Sequence, residues 1–266
     1  MKRIARALAA LTLLFAVHHA FVYFMVSTDL YRLQRRLLGW PFLQQAVFFF
    51  AVPILALALL RREPSEYGLR WNRHVAAAGA TILGLTLALP IAVDGVCGQL
   101  TPVDGGGYLL STLVFQVLFS GIGEELSFRG FYQGEINRAA GRPLAIGHTR
   151  FGPGLLVGAL FFGLGHLGIT DAWRGAPVDF VAFAKSGAIG LLLGFAKEFV
   201  GSVFLVGFLH ASIDTYASLV QPSIPGRVTH FVALGTVFFL LFARRIHAGD
   251  PCTEPSTRAN AEGRGR

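Results

Sequence analysis

The chain reads as all-α, a polytopic membrane helix bundle of about eight transmembrane helices. Three observations predict this. Of 266 residues, 53% are hydrophobic and only 14% are charged, whereas soluble domains carry about 25% charged residues. The apolar residues fall in runs close to the roughly 20 that cross a hydrocarbon core. Lysine and arginine collect in alternate connecting segments, as expected where cations are retained on the cytoplasmic side.

The apolar runs lie at 7–27, 40–60, 75–98, 108–128, 153–170, 180–196, 199–219 and 227–243. The first starts like a secretion signal, with Lys2, Arg3 and Arg6 ahead of an apolar core. No small-x-small cleavage site closes it, and after Val17-His18-His19 the run resumes to Met25. It is therefore read as an uncleaved first helix. The sixth and seventh runs merge around Lys197-Glu198, so 180–219 is either one long stretch or two spans. With the N-terminus inside, seventeen lysines and arginines fall on the inner side and six on the outer. Arg32, Arg35 and Arg36 in the first outer loop break the pattern. They either snorkel to an interface or mark a first helix that does not fully cross. Both termini are expected in the cytoplasm and the protein in a bacterial inner (plasma) membrane. The membrane domain is expected over 1–248, and the polar segment 249–266 reads as a disordered cytoplasmic tail. The net charge of +8 is assigned to inner loops, so no nucleic-acid partner is expected. Cys97 and Cys252 leave no disulfide framework.

With no soluble domain visible, chemistry must occur in or beside the bilayer. A charge at the centre of a membrane helix costs about 2.5–3.5 kcal/mol on insertion scales, so each one needs a partner or a purpose. Three clusters stand out. In GIGEELSFRGF, Glu124 and Glu125 point about 100° apart on a helix. Arg129 lies four residues past Glu125, at ion-pair spacing, which leaves Glu124 without a local partner. A lone carboxylate in an apolar setting suits a general base, although a helix ending at the headgroups would also explain both glutamates. In FFGLGHLG, His166 follows Phe162 by one turn, which would wall the imidazole. By itself, a histidine on an apolar helix reads as a satisfied core group. In FLHASIDTY, His210 and Asp214 share a helix face, where they could fix a tautomer, bind a metal or join two helices. Together these groups supply a base, an orienting partner and an oxyanion stabiliser, the parts needed to add water to an amide. Isolated against lipid, each would cost several kcal/mol. Glu124, His166 and His210 are therefore predicted to face one polar cavity.

In this order the clusters resemble the three motifs of the CPBP family of membrane proteins, which comprises CAAX prenyl proteases of type 2 and Abi-type, bacteriocin-processing relatives. Its pattern is EExxxR, FxxxH, then HxxxN or HxxxD. Here it reads Glu124-Glu125 to Arg129, Phe162 to His166, and His210 to Asp214, within a core of about 105–220. The resemblance implies an intramembrane endopeptidase. In it Glu124 activates a water with help from His166, and His210 with Asp214 steadies an oxyanion or a metal. Asp214 stands where the prenyl-protease branch has Asn, and an ionised Asp cannot donate to an oxyanion. The implied chemistry is glutamate-dependent or metallo-type, with no cofactor or one divalent metal, zinc among the options. Glu124, His166 and His210 are the ligands in the second case. The partners implied are a peptide or membrane-protein substrate, lipidated in one branch of the family, and the bilayer itself.

Other intramembrane chemistries lack their motifs. No HExxH, no GxGD and no Gly-x-Ser-x-Gly occurs, which disfavours zinc site-2, aspartyl and serine types. The alternative class is a non-proteolytic scaffold or immunity factor, or a small proton-coupled transporter using Glu124. A transporter would favour broken helices in matching halves, which the sequence does not display.

Overall fold

A computed structural model describes residues 1–103, 108–146 and 149–247; the tail expected at 249–266 lies outside them. In chain order the helices are α1 (Lys2–Ser27), α2 (Asp29–Leu38), α3 (Phe42–Leu59), α4 (Arg73–Val96) and α5 (Leu109–Ala140). A hairpin of β1 (Leu144–Ile146) and β2 (Thr149–Phe151) follows, then α6 (Gly154–Gly165), α7 (Phe180–Val200), α8 (Val203–Leu219) and α9 (Ile224–His247). The polytopic helical bundle is therefore present. Among the described residues six helices, α1, α3, α4, α5, α7 and α9, are long and apolar enough to cross a membrane.

The other two are shorter than their apolar runs suggested. α6 has 12 residues, which at 1.5 Å per residue is about 18 Å, well short of a hydrocarbon core of about 30 Å. The span expected at 153–170 is thus cut at its last third. Gly168 takes a left-handed φ of 74°, a conformation glycine adopts without steric cost, and it turns the chain away. The stretch 180–219 is two helices. Gly201 ends α7 in the left-handed region at φ 68°, and the Ser202 hydroxyl accepts from the Leu205 amide to start α8. α5 departs the other way, running 32 residues to Ala140 instead of stopping near 128, so the paired glutamates lie inside a helix and not at its end.

The three arginines of the first outer loop sit on α2, a ten-residue helix with no buried side chain, where they alternate with exposed Leu33 and Leu37. α1, at 26 residues, is long enough to cross without them.

Burial is inverted relative to a soluble protein. Leu59, Leu110, Val96 and Phe239 are largely exposed, while Glu125, Arg129, Gln133, Lys197 and His210 are buried. This is the arrangement a lipid solvent favours, because the interior is where polar groups can satisfy one another. α5 is the axis of the bundle. On one side its Phe128, Phe131 and Tyr132 pack with α1, α3 and α6 around Phe15, Phe48 and Phe162. On the other its Ile122 packs with α4, α7, α8 and α9 around Leu193, Leu209 and Val237. A latch formed by Arg62 and Tyr67, which lie outside the spans, ties the α3–α4 connection to the C-terminal end of α5. Arg62 grips the Glu135 carboxylate with two nitrogens, at 2.9 and 3.2 Å, and the Tyr67 hydroxyl donates to the same group. Burial, then the bond to Glu135, pushes the Tyr67 hydroxyl well above its ordinary pKa. The carboxylate also raises that of Arg62.

Candidate active site

The site begins with glycine. A Cβ added at Gly121 of α5 would sit 2.6 Å from the Gly207 carbonyl oxygen of α8, and one added at Gly207 would sit 2.9 Å from the Ile122 Cα. Small residues at such a crossing let two helix backbones approach closely. The two helices run antiparallel, and a ladder of polar contacts climbs their interface. The Gln116 amide donates to the Ser218 hydroxyl at 2.9 Å. The Ser120 hydroxyl donates to Asp214 Oδ2 at 2.9 Å. Nδ1 of His210 meets Glu125 Oε1 at 2.9 Å.

The steps along α5 are four residues, then five. Two stretches of α5, Phe115–Gly123 and Leu126–Tyr132, are wound as π-helix, which takes more residues per turn and recurs at functional sites. A regular helix would continue the stripe 116, 120 to Glu124. The wider turns deliver Glu125 to α8 instead and leave Glu124 on a different face.

Glu125 is consequently enclosed. Its side chain and that of Arg129 are both 0% exposed, with Arg129 Nε 3.1 Å from Glu125 Oε2. The contact is one of charge, since neither atom has hydrogen-bond alignment. The guanidinium carbon lies 4.2 Å from the centroid of the Phe162 ring. His210 is held at both ends, because its Nε2 is 3.3 Å from Asp214 Oδ2. The ion pair of Glu125 with Arg129 and the proximity of His210 and Asp214 match the spacing argument. The bond from His210 to Glu125, and the parts of Gln116, Ser120 and Ser218, were not foreseen. A signal did exist in the sequence: Gln116 and Ser120 on one helix, and His210, Asp214 and Ser218 on the other, recur at steps of four in otherwise apolar runs.

Glu124 faces elsewhere. Its Oε2 is buried with no hydrogen-bond partner, and the residue lines a cavity of about 170 Å³ together with His166, Phe128 and Gly165. The far wall is built by α1 and α3, through His18, His19, Gln44 and Gln45. His166 caps the C-terminus of α6 with its Nδ1 2.8 Å from the Phe162 carbonyl oxygen. If Nδ1 carries the proton for that bond, Nε2 is left as an acceptor. Phe162 walls the imidazole at 4.7 Å between ring centroids and meets His210 edge-on at 5.4 Å. Two of the three groups predicted to converge therefore share one cavity. His210 does not line it; it stands behind Phe162 and Glu125.

A metal would need several free ligands at one point. Among the described residues no three His, Cys, Asp or Glu side chains gather for one, and both ring nitrogens of His210 are engaged by carboxylates. In this arrangement Glu124, His166 and His210 do not fit a metal site.

Residues 106–216 match the family described as type II CAAX prenyl endopeptidase, Rce1-like. The match covers less than half of the chain, contains all six candidate residues, and agrees with the resemblance to the CPBP family. No curated protein and no solved structure matches the chain. The family match supports an integral membrane protease of CAAX type acting on a membrane-associated peptide.

Proposed function

We propose that the protein is a glutamate-dependent intramembrane endopeptidase in which Glu124 is the general base. What carries this reading is the contrast inside the motif: Glu125 is closed off by Arg129 and His210, while Glu124 has a bare oxygen and shares a cavity with His166. In the reaction, a water between Glu124 and His166 Nε2 gives its proton to the carboxylate, and its oxygen attacks the peptide carbonyl carbon. The proton then passes from Glu124 to the leaving nitrogen as the C–N bond breaks. With a proton on each ring nitrogen, His210 donates to Glu125 and Asp214 at once. The Asp214 contact is the longer, 3.3 against 2.9 Å, and together the two hold His210 behind Phe162, outside the cavity, where it serves the reaction by fixing Glu125 and with it the neighbouring Glu124. Asp214 then orients His210 and does not itself donate, which accommodates aspartate where the prenyl-protease branch has asparagine.

The test uses full-length protein in proteoliposomes with two quenched fluorescent peptides. One ends in a farnesylated Cys-aliphatic-aliphatic-X sequence; the other is anchored by an unlipidated apolar helix. Wild type should cleave at least one, Glu124→Gln neither, and treatment with a chelator should leave turnover intact. Loss of activity on chelation, with rescue by zinc, would make the enzyme metallo-type. Cleavage of neither peptide by wild type would leave the scaffold alternative standing. Both termini are further proposed to be cytoplasmic, so reporter fusions after Arg62 and after Arg245 should both signal cytoplasm.

A further inference from the structure

The unsatisfied polar atoms of the bundle are not scattered. Among the described residues, apart from members of the Glu125–Arg129 and Arg142–Glu198 ion pairs, the buried side-chain atoms without a partner are His19 Nδ1 and Nε2, Gln44 Oε1, Gln45 Oε1, Glu124 Oε2, Gln133 Oε1 and Thr215 Oγ1. The first five belong to residues lining the single cavity that also holds His166. Leaving a buried donor or acceptor unmade costs about 1–3 kcal/mol, so this concentration asks for a ligand that supplies the missing partners. Glu124 is accounted for by the catalytic water. His19, Gln44 and Gln45 are not, and they lie on α1 and α3, outside the matched residues 106–216.

We infer that His19, Gln44 and Gln45 form a subsite that grips the main chain of the substrate peptide beside the scissile bond. This rests on the peptidase reading of the same cavity. The donor set fits a peptide backbone, which presents an N–H and a C=O in alternation along an extended strand. A side-chain carboxamide carries the same acceptor and donor groups and can pair with a peptide unit through either. The imidazole of His19 can give one bond and accept another. An acyl or prenyl chain would satisfy none of these atoms. The subsite is also held in place. The His19 ring packs edge-on against Phe15 at 4.3 Å, and its neighbour His18 stacks on Phe48 at 4.6 Å. Because the same cavity contains Glu124 and His166, a strand lying along α1 and α3 would carry its carbonyl past the base. Binding through the main chain confers little side-chain selectivity, so selectivity would come from elsewhere on the substrate.

The experiment measures binding in the Glu124→Gln background, in nanodiscs, so that it does not depend on turnover. The probes are a dansylated farnesyl-peptide and a degenerate decapeptide pool, each as normal amides and as N-methylated amides. His19→Phe, Gln44→Leu and Gln45→Leu keep side-chain bulk and remove the polar atoms. Each should weaken binding of the amide probes about threefold to tenfold, the scale of one net hydrogen bond. The thermal midpoint should hold or rise, because an unpartnered polar group has been removed. N-methylation should weaken binding to the parent but make no difference to the triple variant. Unchanged binding in all three variants would overturn the proposal, as would loss of binding in step with a falling midpoint. So would equal binding of amide and N-methyl probes by the parent, or no binding of either probe. The peptidase reading fails separately, if Glu124→Gln still cleaves in the proteoliposome assay.

Discussion

Glu124 and Glu125 are chain neighbours with the same side chain, yet they occupy opposite kinds of surroundings. Around Glu125 every direction is closed: Arg129 on one side, His210 on the other, Asp214 and Ser120 completing the network, all on α5 and α8. Around Glu124 an oxygen is bare, and the cavity it lines is walled by polar groups that also lack partners. The first is a device for holding two helices and a histidine in register. The second is destabilising as it stands, and stored local cost of that kind is characteristic of functional sites. On the proposed reading the pair divides labour, Glu125 fixing structure and Glu124 carrying chemistry.

The largest effect should come from separating the two. Glu124→Gln should lower turnover at least about a hundredfold, the lower end of what general base catalysis contributes, with the thermal midpoint little changed. Glu125→Gln should instead lower stability by about 3–5 kcal/mol, because it strands the buried Arg129. Chemical denaturation in detergent micelles of both variants checks this. Equal stability losses would erase the distinction between the two sites.

Asp214→Asn probes the closed network at its outer edge, where the side chain is 37% exposed. The neutral amide keeps a single acceptor oxygen for Ser120 and His210. Turnover should fall about tenfold, on the scale of a hydrogen bond to a charged group, and its pH profile should shift. An unchanged profile would remove His210 from the reaction. Gly121→Ala addresses the crossing that makes the network possible. Its Cβ would press into Gly207 and Ala211, and overpacking of this kind costs about 1–3 kcal/mol. Turnover should fall with the midpoint, since α8 carries His210.

The smallest effect is expected far from both glutamates. Tyr67→Phe removes the hydroxyl that donates to Glu135 and should cost about 1–2 kcal/mol at neutral pH. The Tyr67 pKa is raised on folding by burial and by Glu135. Its contribution is therefore fully present below its unfolded value of about 10 and is lost as pH climbs through the folded one. Wild type should lose stability above about pH 10 more steeply than the variant. Parallel curves would mean that the latch does not depend on that proton.

Much of this protein is written in its sequence. Runs of apolar residues without charges fix where helices must form, because in lipid an unpaired backbone group is too costly to leave open. The pairing of Glu125 with Arg129, and of His210 with Asp214, follows from helical spacing alone. Helix ends were less legible. Apolar composition continues past Gly165 and across Gly201, and only the left-handed backbone at Gly168 and Gly201 marks where α6 and α7 stop. Which glutamate would face α8 was beyond any regular periodicity. It turns on the π-wound stretches of α5 and on the close approach at Gly121 and Gly207. Likewise, nothing local tied His19, Gln44 and Gln45 to Glu124, about 80 to 105 positions away. Composition and spacing determine which residues must leave the lipid. Only the packing of helices against one another decides which of them meet, because that depends on backbone separation and helical phase across chain segments that share no local sequence.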